Sequence, residues 1–254
     1  MRAVAILNFK GGTGKTTTAV NLAHALTFQG RSVLLIDCDP QGSLSGWLGI
    51  KSAKTLTHLM LGQASVDSCI VSVRERLDIV PSDEALGQVE VLLAKNNEME
   101  TLLRERLSKF SGYDFVFLDC PPSSSLLNRN ALKYAREVFL PASMDYLSLQ
   151  GVKQVLARVP SDVQITKVIP TFFNQQTKKS REILSDLHTV FGPRVTSPIR
   201  VNVRLAEAAS FHKTIFEYDI TSRGACDYWQ LAKEILGAQE TNRGDTRGSA
   251  GPKP

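Results

Sequence analysis

Apolar residues along the chain fall into short unbroken runs, separated by stretches in which they recur every three or four positions. The first run, AVAILNF (3–9), leads through a glycine-rich turn into TTTAVNLAHALTFQG (16–30). There Ala19, Leu22, Ala23 and Leu26 share one helical face, and Gly30 supplies the stop. SVLLID (32–37) follows, apolar until its final acid. Strands that are apolar on both faces and joined by helices belong to a parallel sheet covered on both sides.

The alternation continues. Strands are predicted at 77–82, 114–122, 137–142, 165–173 and 195–200, and helices at 84–110, 149–158, 178–191 and 222–237. The fold class is therefore α/β, a single domain built on a mostly parallel, twisted sheet of about seven strands with helices on both faces. No linker-like break occurs before Gly237, so one domain is predicted over 1–237. The remainder, 238–254, is rich in polar, Gly and Pro residues and is predicted to be disordered.

Composition changes this picture little. The 254 residues are 43% hydrophobic and 22% charged, enough apolar material to bury a large core. A net charge of +5 makes a polyanionic partner possible without demanding one. Cys38, Cys69, Cys120 and Cys226 form no C-x-x-C pair, so neither a zinc nor an iron–sulfur site is indicated. No apolar run is long enough to span a bilayer, and the N-terminus reads as a strand and not as a signal peptide, which places the chain in the cytoplasm by default.

The chemistry is concentrated in KGGTGKTT (10–17). The phosphate-loop pattern G-x-x-x-x-G-K-[ST] is met at Gly14, Lys15 and Thr16, but its first position is Phe9 and a second lysine, Lys10, stands beside it. Gly11, Gly12 and Gly14 allow a tight turn whose N–H groups, with Thr13 between them, point at a phosphate, and the following helix adds its positive end. Lys15 reaches the β- and γ-phosphates, and the Thr16 hydroxyl is placed for Mg²⁺. Such chemistry also needs carboxylates at neighbouring strand ends, and three qualify: Asp37 and Asp39 in LLIDCDPQGS, and Asp119 in FVFLDCPPSS.

Taken in order, KGGTGKTT, LLIDCDPQG, FLDCPPS and VNVRLAEAASFHKTIFEYD make the chain similar to the ParA/Soj-type partition ATPases (the ParA/MinD group, with a deviant Walker A loop), over about residues 2–237. The resemblance implies ATP and Mg²⁺ as cofactors, held by Lys10 through Thr17. It also implies a face-to-face homodimer in which Lys10 contacts the ATP of the other subunit, where a cation supplied in trans stabilises the transferred phosphoryl group. By this resemblance Lys10, Lys15 and Asp39 are the catalytic residues. Asp39 positions the attacking water, while Thr16, Asp37, Asp39 and Asp119 serve the metal. Phe172 and Asn202 fall where the family holds the base.

The same resemblance implies non-specific DNA binding in the ATP state, for which Lys178, Lys179, Arg181, Arg200 and Arg204 are the candidates. Departures from the common pattern are concentrated there. IRVNVRLAEAASFH moves an arginine and carries Ala209 and His212 where the family has Pro and Gly, and NQQT (174–177) carries Gln176 in place of Arg. With the first strand beginning at residue 2, no N-terminal operator-binding domain is expected.

The function implied is an ATP-dependent dimeric switch that hydrolyses ATP slowly, associates with the nucleoid and positions a cargo. A ParB-like or other basic-peptide activator would stimulate its hydrolysis. The alternative is a MinD-like membrane-surface ATPase, but the C-terminal GDTRGSAGPKP has no apolar face to insert, so no membrane partner is expected.

Overall fold

The computed structural model describes residues 1–94 and 99–244. In chain order the elements are β1 (Arg2–Ile6), α1 (Lys15–Thr27), β2 (Val33–Asp37), α2 (Ser43–Trp47), α3 (Leu56–Met60), α4 (Val66–Cys69), β3 (Val71–Arg74), β4 (Leu77–Val80), α5 (Leu86–Ala94) and α6 (Leu102–Arg106). They continue with β5 (Phe115–Asp119), α7 (Leu126–Ala135), β6 (Glu137–Ser143), α8 (Tyr146–Arg158), β7 (Gln164–Thr171), α9 (Lys178–Phe191), α10 (Val203–Ser210), α11 (Ile215–Tyr218) and α12 (Arg223–Gly244).

The strands form one sheet of seven in the order β3-β4-β2-β5-β1-β6-β7. Every pairing is parallel except β3 with β4. Because side chains alternate across a strand, each strand feeds two cores. Val4, Ile6, Val33, Leu35, Phe115 and Phe117 pack with Leu22 and Leu26 of α1 and Tyr228 and Leu231 of α12. On the other face Ala5, Leu7, Leu34, Ile36, Val116 and Leu118 pack with residues of α3, α5, α6, α7, α8 and α9. The apolar runs of the sequence are therefore strands buried on both faces, as the pattern predicts.

The seven strands are not the seven predicted. Residues 195–200 make two isolated parallel bridges, Val195 with Val168 of β7 and Arg200 with Phe173 just beyond it, and no ladder forms between them. Pro198 has no N–H to give, and the Ser197 N–H turns away to Glu234 Oε2 at 3.1 Å. The seventh strand is β3, which folds back on β4 through a tight turn with Arg76 at φ 59°.

Helix boundaries differ too. The single helix predicted over 84–110 is two: α5, then a 3-10 turn at Met99–Thr101 leading into α6, while 95–98 lie outside the described residues. The second piece is anchored by α7, where Asn130 Oδ1 accepts the Leu103 N–H at 3.0 Å. α12 continues to Gly244, beyond the stop predicted at 237, and 245–254 of the expected tail lie outside the described residues.

Candidate functional site

The site lies at the C-terminal ends of β1, β2 and β5, at the centre of the sheet, where ligands sit in open α/β folds. Between β1 and α1 the chain turns through Gly12 (φ 71°) and Gly14 (φ 85°), backbone angles that a side chain would strain. Gly14 is the residue from which α1 starts, so the helix end opens into the loop.

Two buried residues with no motif of their own hold this loop in shape. Asn8 donates from Nδ2 to the Pro141 carbonyl at 2.8 Å, and its Oδ1 accepts the Lys10 N–H at 3.0 Å. Thr171, at the end of β7, donates its hydroxyl to the Thr13 carbonyl at 2.9 Å. The loop is thereby tied to β6 and β7. Nothing in the one-dimensional pattern signals either tie, because each pairs residues more than 130 positions apart.

The loop and its surroundings enclose a cavity of about 230 Å³ lined by Gly11 to Thr17, Asp39, Ser43, Cys120 and Pro122. Lys15 crosses it, its Nζ donating to the Lys10 carbonyl at 3.1 Å. Burial holds the Lys15 ammonium below its ordinary pKa, with the charges of Asp119, Cys120 and Asp39 opposing that shift. A desolvated cation beside a helix N-terminus is a site prepared for an anion.

The three aspartates play different parts. Asp37 and Asp119 are register partners on β2 and β5. Asp119 Oδ2 accepts the Thr16 hydroxyl at 2.7 Å, while its Oδ1 is buried without a hydrogen-bond partner. Burial, reinforced by the charge of Asp37, pushes the Asp119 carboxyl up to about 8. An orphaned carboxylate oxygen next to a threonine hydroxyl fits a divalent cation, which would supply the missing partner and offset the buried charge. Among the described residues no group of three or more His, Cys, Asp or Glu side chains is arranged to hold a metal. The groups on hand for a cation at this point are the Thr16 hydroxyl and the orphaned Asp119 oxygen.

Asp37 is engaged elsewhere. Its Oδ2 accepts both the N–H (2.8 Å) and the hydroxyl (2.7 Å) of Ser45, and its Oδ1 accepts the Asp39 N–H at 3.2 Å. Burial raises its carboxyl to about 6 against the pull of those bonds. Asp37 thus shapes the 39–45 segment, whereas Asp39 lines the phosphate cavity.

A second cavity of about 330 Å³ shares Gly14 and Thr17 with the first. Phe172, at φ 54°, and Asn202, the two residues that the resemblance assigns to the base, both line it, together with Ile199, Leu205, Ala206, Ala209 and Tyr228. Asn202 caps α10, its Oδ1 accepting the Arg204 N–H at 2.9 Å.

The five candidate DNA contacts divide. Lys178, Lys179 and Arg181 fill the first turn of α9, which holds no acid of its own. Lys178 faces Glu182 at 3.4 Å, and Arg181 donates to the Gln175 carbonyl at 2.9 Å. Arg200 instead lines the second cavity and grips Asp227 of α12, with Nη2 to Oδ1 at 2.6 Å and its own N–H to Oδ2 at 2.9 Å. Arg204 pairs with Glu207 at 2.9 Å. The Phe173–Arg200 bridge places Arg200 beside the segment that leads from β7 into α9, so both groups lie at one end of the molecule.

Comparison with known proteins agrees with this geometry. A family described as "AAA domain" matches residues 1–172. The chromosome partitioning protein ParA of Caulobacter vibrioides is 36% identical over 251 residues, 93% of this chain and 94% of the relative. The chromosome-partitioning ATPase Soj of Thermus thermophilus is 37% identical over 244 residues, covering 93% and 96%. Among solved structures, cobyrinic acid a,c-diamide synthase from Mycobacterium smegmatis, with bound ATP analog and magnesium, superimposes at a TM-score of 0.79 with 29% identity, covering 95% and 97% of the two chains. Identity is higher to the partition proteins than to the synthase, and it extends over more than nine-tenths of the chain: the chain belongs to the ParA/Soj family of P-loop ATPases.

Proposed function

We propose that the chain is an ATP-dependent dimeric switch that binds ATP with Mg²⁺, hydrolyses it slowly, and binds DNA without sequence preference while ATP-loaded. The observation that carries this is the cradle itself: Lys15 desolvated over a glycine loop, with Thr16 bonded to an aspartate whose second oxygen has no partner. Lys15, Gly14 and the α1 N-terminus take the phosphates, and Thr16 and Asp119 take the cation. When bound, Mg²⁺ neutralises charge developing on the phosphates. Asp39, at the cavity wall, orients the attacking water, and Lys10 of one subunit completes the site of the other.

The ATPase unit spans 1–237, with α12 running on past it to Gly244. Three cations in the first turn of α9 oppose the helix dipole, an arrangement an anionic partner would relieve. DNA at that end, near the nucleotide, lets ATP state set DNA affinity and keeps the protein on the nucleoid in the cytoplasm. A ParB-like or other basic peptide stimulates hydrolysis and release, which positions a cargo. Among the described residues no helix is long and apolar enough to cross a membrane. The test is DNA binding by the full chain with ATP, ADP or no nucleotide. Tight, salt-sensitive binding with ATP alone is expected, and equal binding in all three would defeat the switch.

A further inference from the structure

Trp47 occupies a junction that no motif accounts for. It is the last residue of α2, two positions after the Ser45 that clamps Asp37, and its side chain lines the 330 Å³ cavity beside Gly14, Thr17 and Phe172. Its indole N–H donates to the Lys213 carbonyl at 2.9 Å, just beyond α10, whose Leu205, Ala206 and Ala209 form another wall of the same cavity. From that end His212 Nδ1 lies 3.0 Å from the Gly46 carbonyl and 3.1 Å from the Trp47 carbonyl, so Nδ1 carries the proton and donates to both. Gly49 permits this approach, since a Cβ there would stand 3.0 Å from His212 Cγ.

The cavity is chiefly apolar, with Thr17, Thr171, Arg200, Asn202 and Tyr228 contributing polar groups, and it shares an edge with the phosphate cavity. A flat heteroaromatic ring attached to a triphosphate seated in the loop would enter it. We infer that Trp47 is a specificity-determining residue: its indole forms a wall of the nucleobase site and, through α2, makes base occupancy felt by the segment that carries Asp37 and Asp39. This rests on the nucleotide reading proposed above. The path is physical and short. A base against Trp47 presses on α2, α2 holds Asp37 through Ser45, and the Asp37 carboxylate accepts the Asp39 N–H.

The experiment is calorimetric titration of the full chain with Mg²⁺–ATP and with Mg²⁺–ribose 5′-triphosphate, which has no base. Trp47→Ala should weaken ATP about tenfold, the scale of one base–aromatic stack, and leave ribose triphosphate unchanged. Trp47→Phe keeps an aromatic wall but loses the N–H to Lys213. It should bind ATP within about threefold of wild type, a conservative loss by the same stacking scale, while ATP protects residues 39–49 from hydrogen exchange less than in wild type. Unchanged ATP affinity in Trp47→Ala overturns the inference, and so does an equal loss for both ligands. A wild-type chain that binds neither ligand overturns the nucleotide site as well.

Discussion

Lys10 Nζ lies 2.5 Å from Asp145 Oδ1, so the first lysine of the phosphate loop is held by the turn between β6 and α8 of its own chain. Asp145 is steadied in turn by the Ser143 hydroxyl, which donates to its Oδ2 at 2.8 Å. Both side chains keep partial access to water, 27% for Lys10 and 38% for Asp145. Ion pairs of that kind are worth at most about 1 kcal/mol, a restraint that a phosphate supplied by a facing subunit can displace.

Asp145→Asn should therefore tighten the proposed ATP-dependent dimer, by no more than about fivefold, the worth of a partly exposed ion pair. Sedimentation of the nucleotide-loaded chain over a concentration series measures this. A weaker dimer would mean that Asp145 presents Lys10 to the partner instead of restraining it.

Lys15→Ala should abolish ATP binding without lowering the melting temperature of the nucleotide-free chain. The ammonium is desolvated by burial, and what it gives the empty loop in return is a hydrogen bond to the Lys10 carbonyl. Titration calorimetry and a thermal melt separate the two effects. Retained ATP affinity would remove the phosphate-loop assignment.

Ser45→Ala should cost about 1–3 kcal/mol, the range for leaving buried polar groups unpaired. The hydroxyl donates to Asp37 at 2.7 Å, and its oxygen accepts the Ser82 N–H at 3.0 Å, so two buried groups lose a partner at once. Urea denaturation of the nucleotide-free chain reads the loss directly. A change within experimental scatter would show that Asp37 is held by the backbone N–H groups alone.

The central strands and the phosphate loop were legible because their signals are local. A run such as SVLLID needs no knowledge of its neighbours, and Gly14, Lys15 and Thr16 are consecutive. What could not be read depended on neighbours distant in sequence. Asn8, Thr171 and Trp47 acquire their roles only when β6, β7 and α10 arrive beside them. The exchange of 195–200 for β3 has a similar origin: six residues with strand-like composition were denied a ladder by Pro198 and by Glu234 of α12. Arg200 reads in sequence as one more candidate DNA contact, and the Asp227 that holds it lies 27 positions away.

That difference divides the basic residues experimentally. Replacing Lys178 and Lys179 by Ala should reduce the salt dependence of DNA binding by about two in log–log slope, one for each lysine withdrawn from a phosphate, and leave the fold untouched. Lys178 is 84% exposed and faces Glu182 at 3.4 Å. Arg200→Ala should instead lower the melting temperature, because the Asp227 side chain, 9% exposed, would be left without its guanidinium partners at 2.6 and 3.0 Å. Fluorescence anisotropy on duplex DNA at several salt concentrations, beside thermal melts, distinguishes the pairs. An unaltered slope in the double lysine variant would move the DNA face elsewhere.

Acid sensitivity has a named source in His24, buried in α1 between Phe28 and Phe216. Its Nδ1 is 2.7 Å from the Thr214 hydroxyl, and the charged groups acting on it are Glu217 of α11 and Arg74 of β3, themselves paired at 2.9 Å. Burial lowers the imidazole to about 4 from an ordinary 6.5, with Glu217 opposing and Arg74 assisting. The unfolded chain therefore takes up a proton at His24 below about pH 6.5 that the folded chain refuses until about pH 4. Stability contributed by this group is complete above pH 6.5, falls as the pH drops through that window, and is lost to the extent of about 3 kcal/mol at its lower end. His24→Asn leaves a polar partner for Thr214 and cannot titrate there. Urea denaturation at pH 7, 6, 5 and 4 should show a wild-type slope steeper than the variant's by up to about 1.4 kcal/mol per pH unit, one proton's worth. Taking the difference between the two proteins cancels Asp37, Asp119 and the other carboxylates they share, so parallel slopes would clear His24 of any part in the acid response.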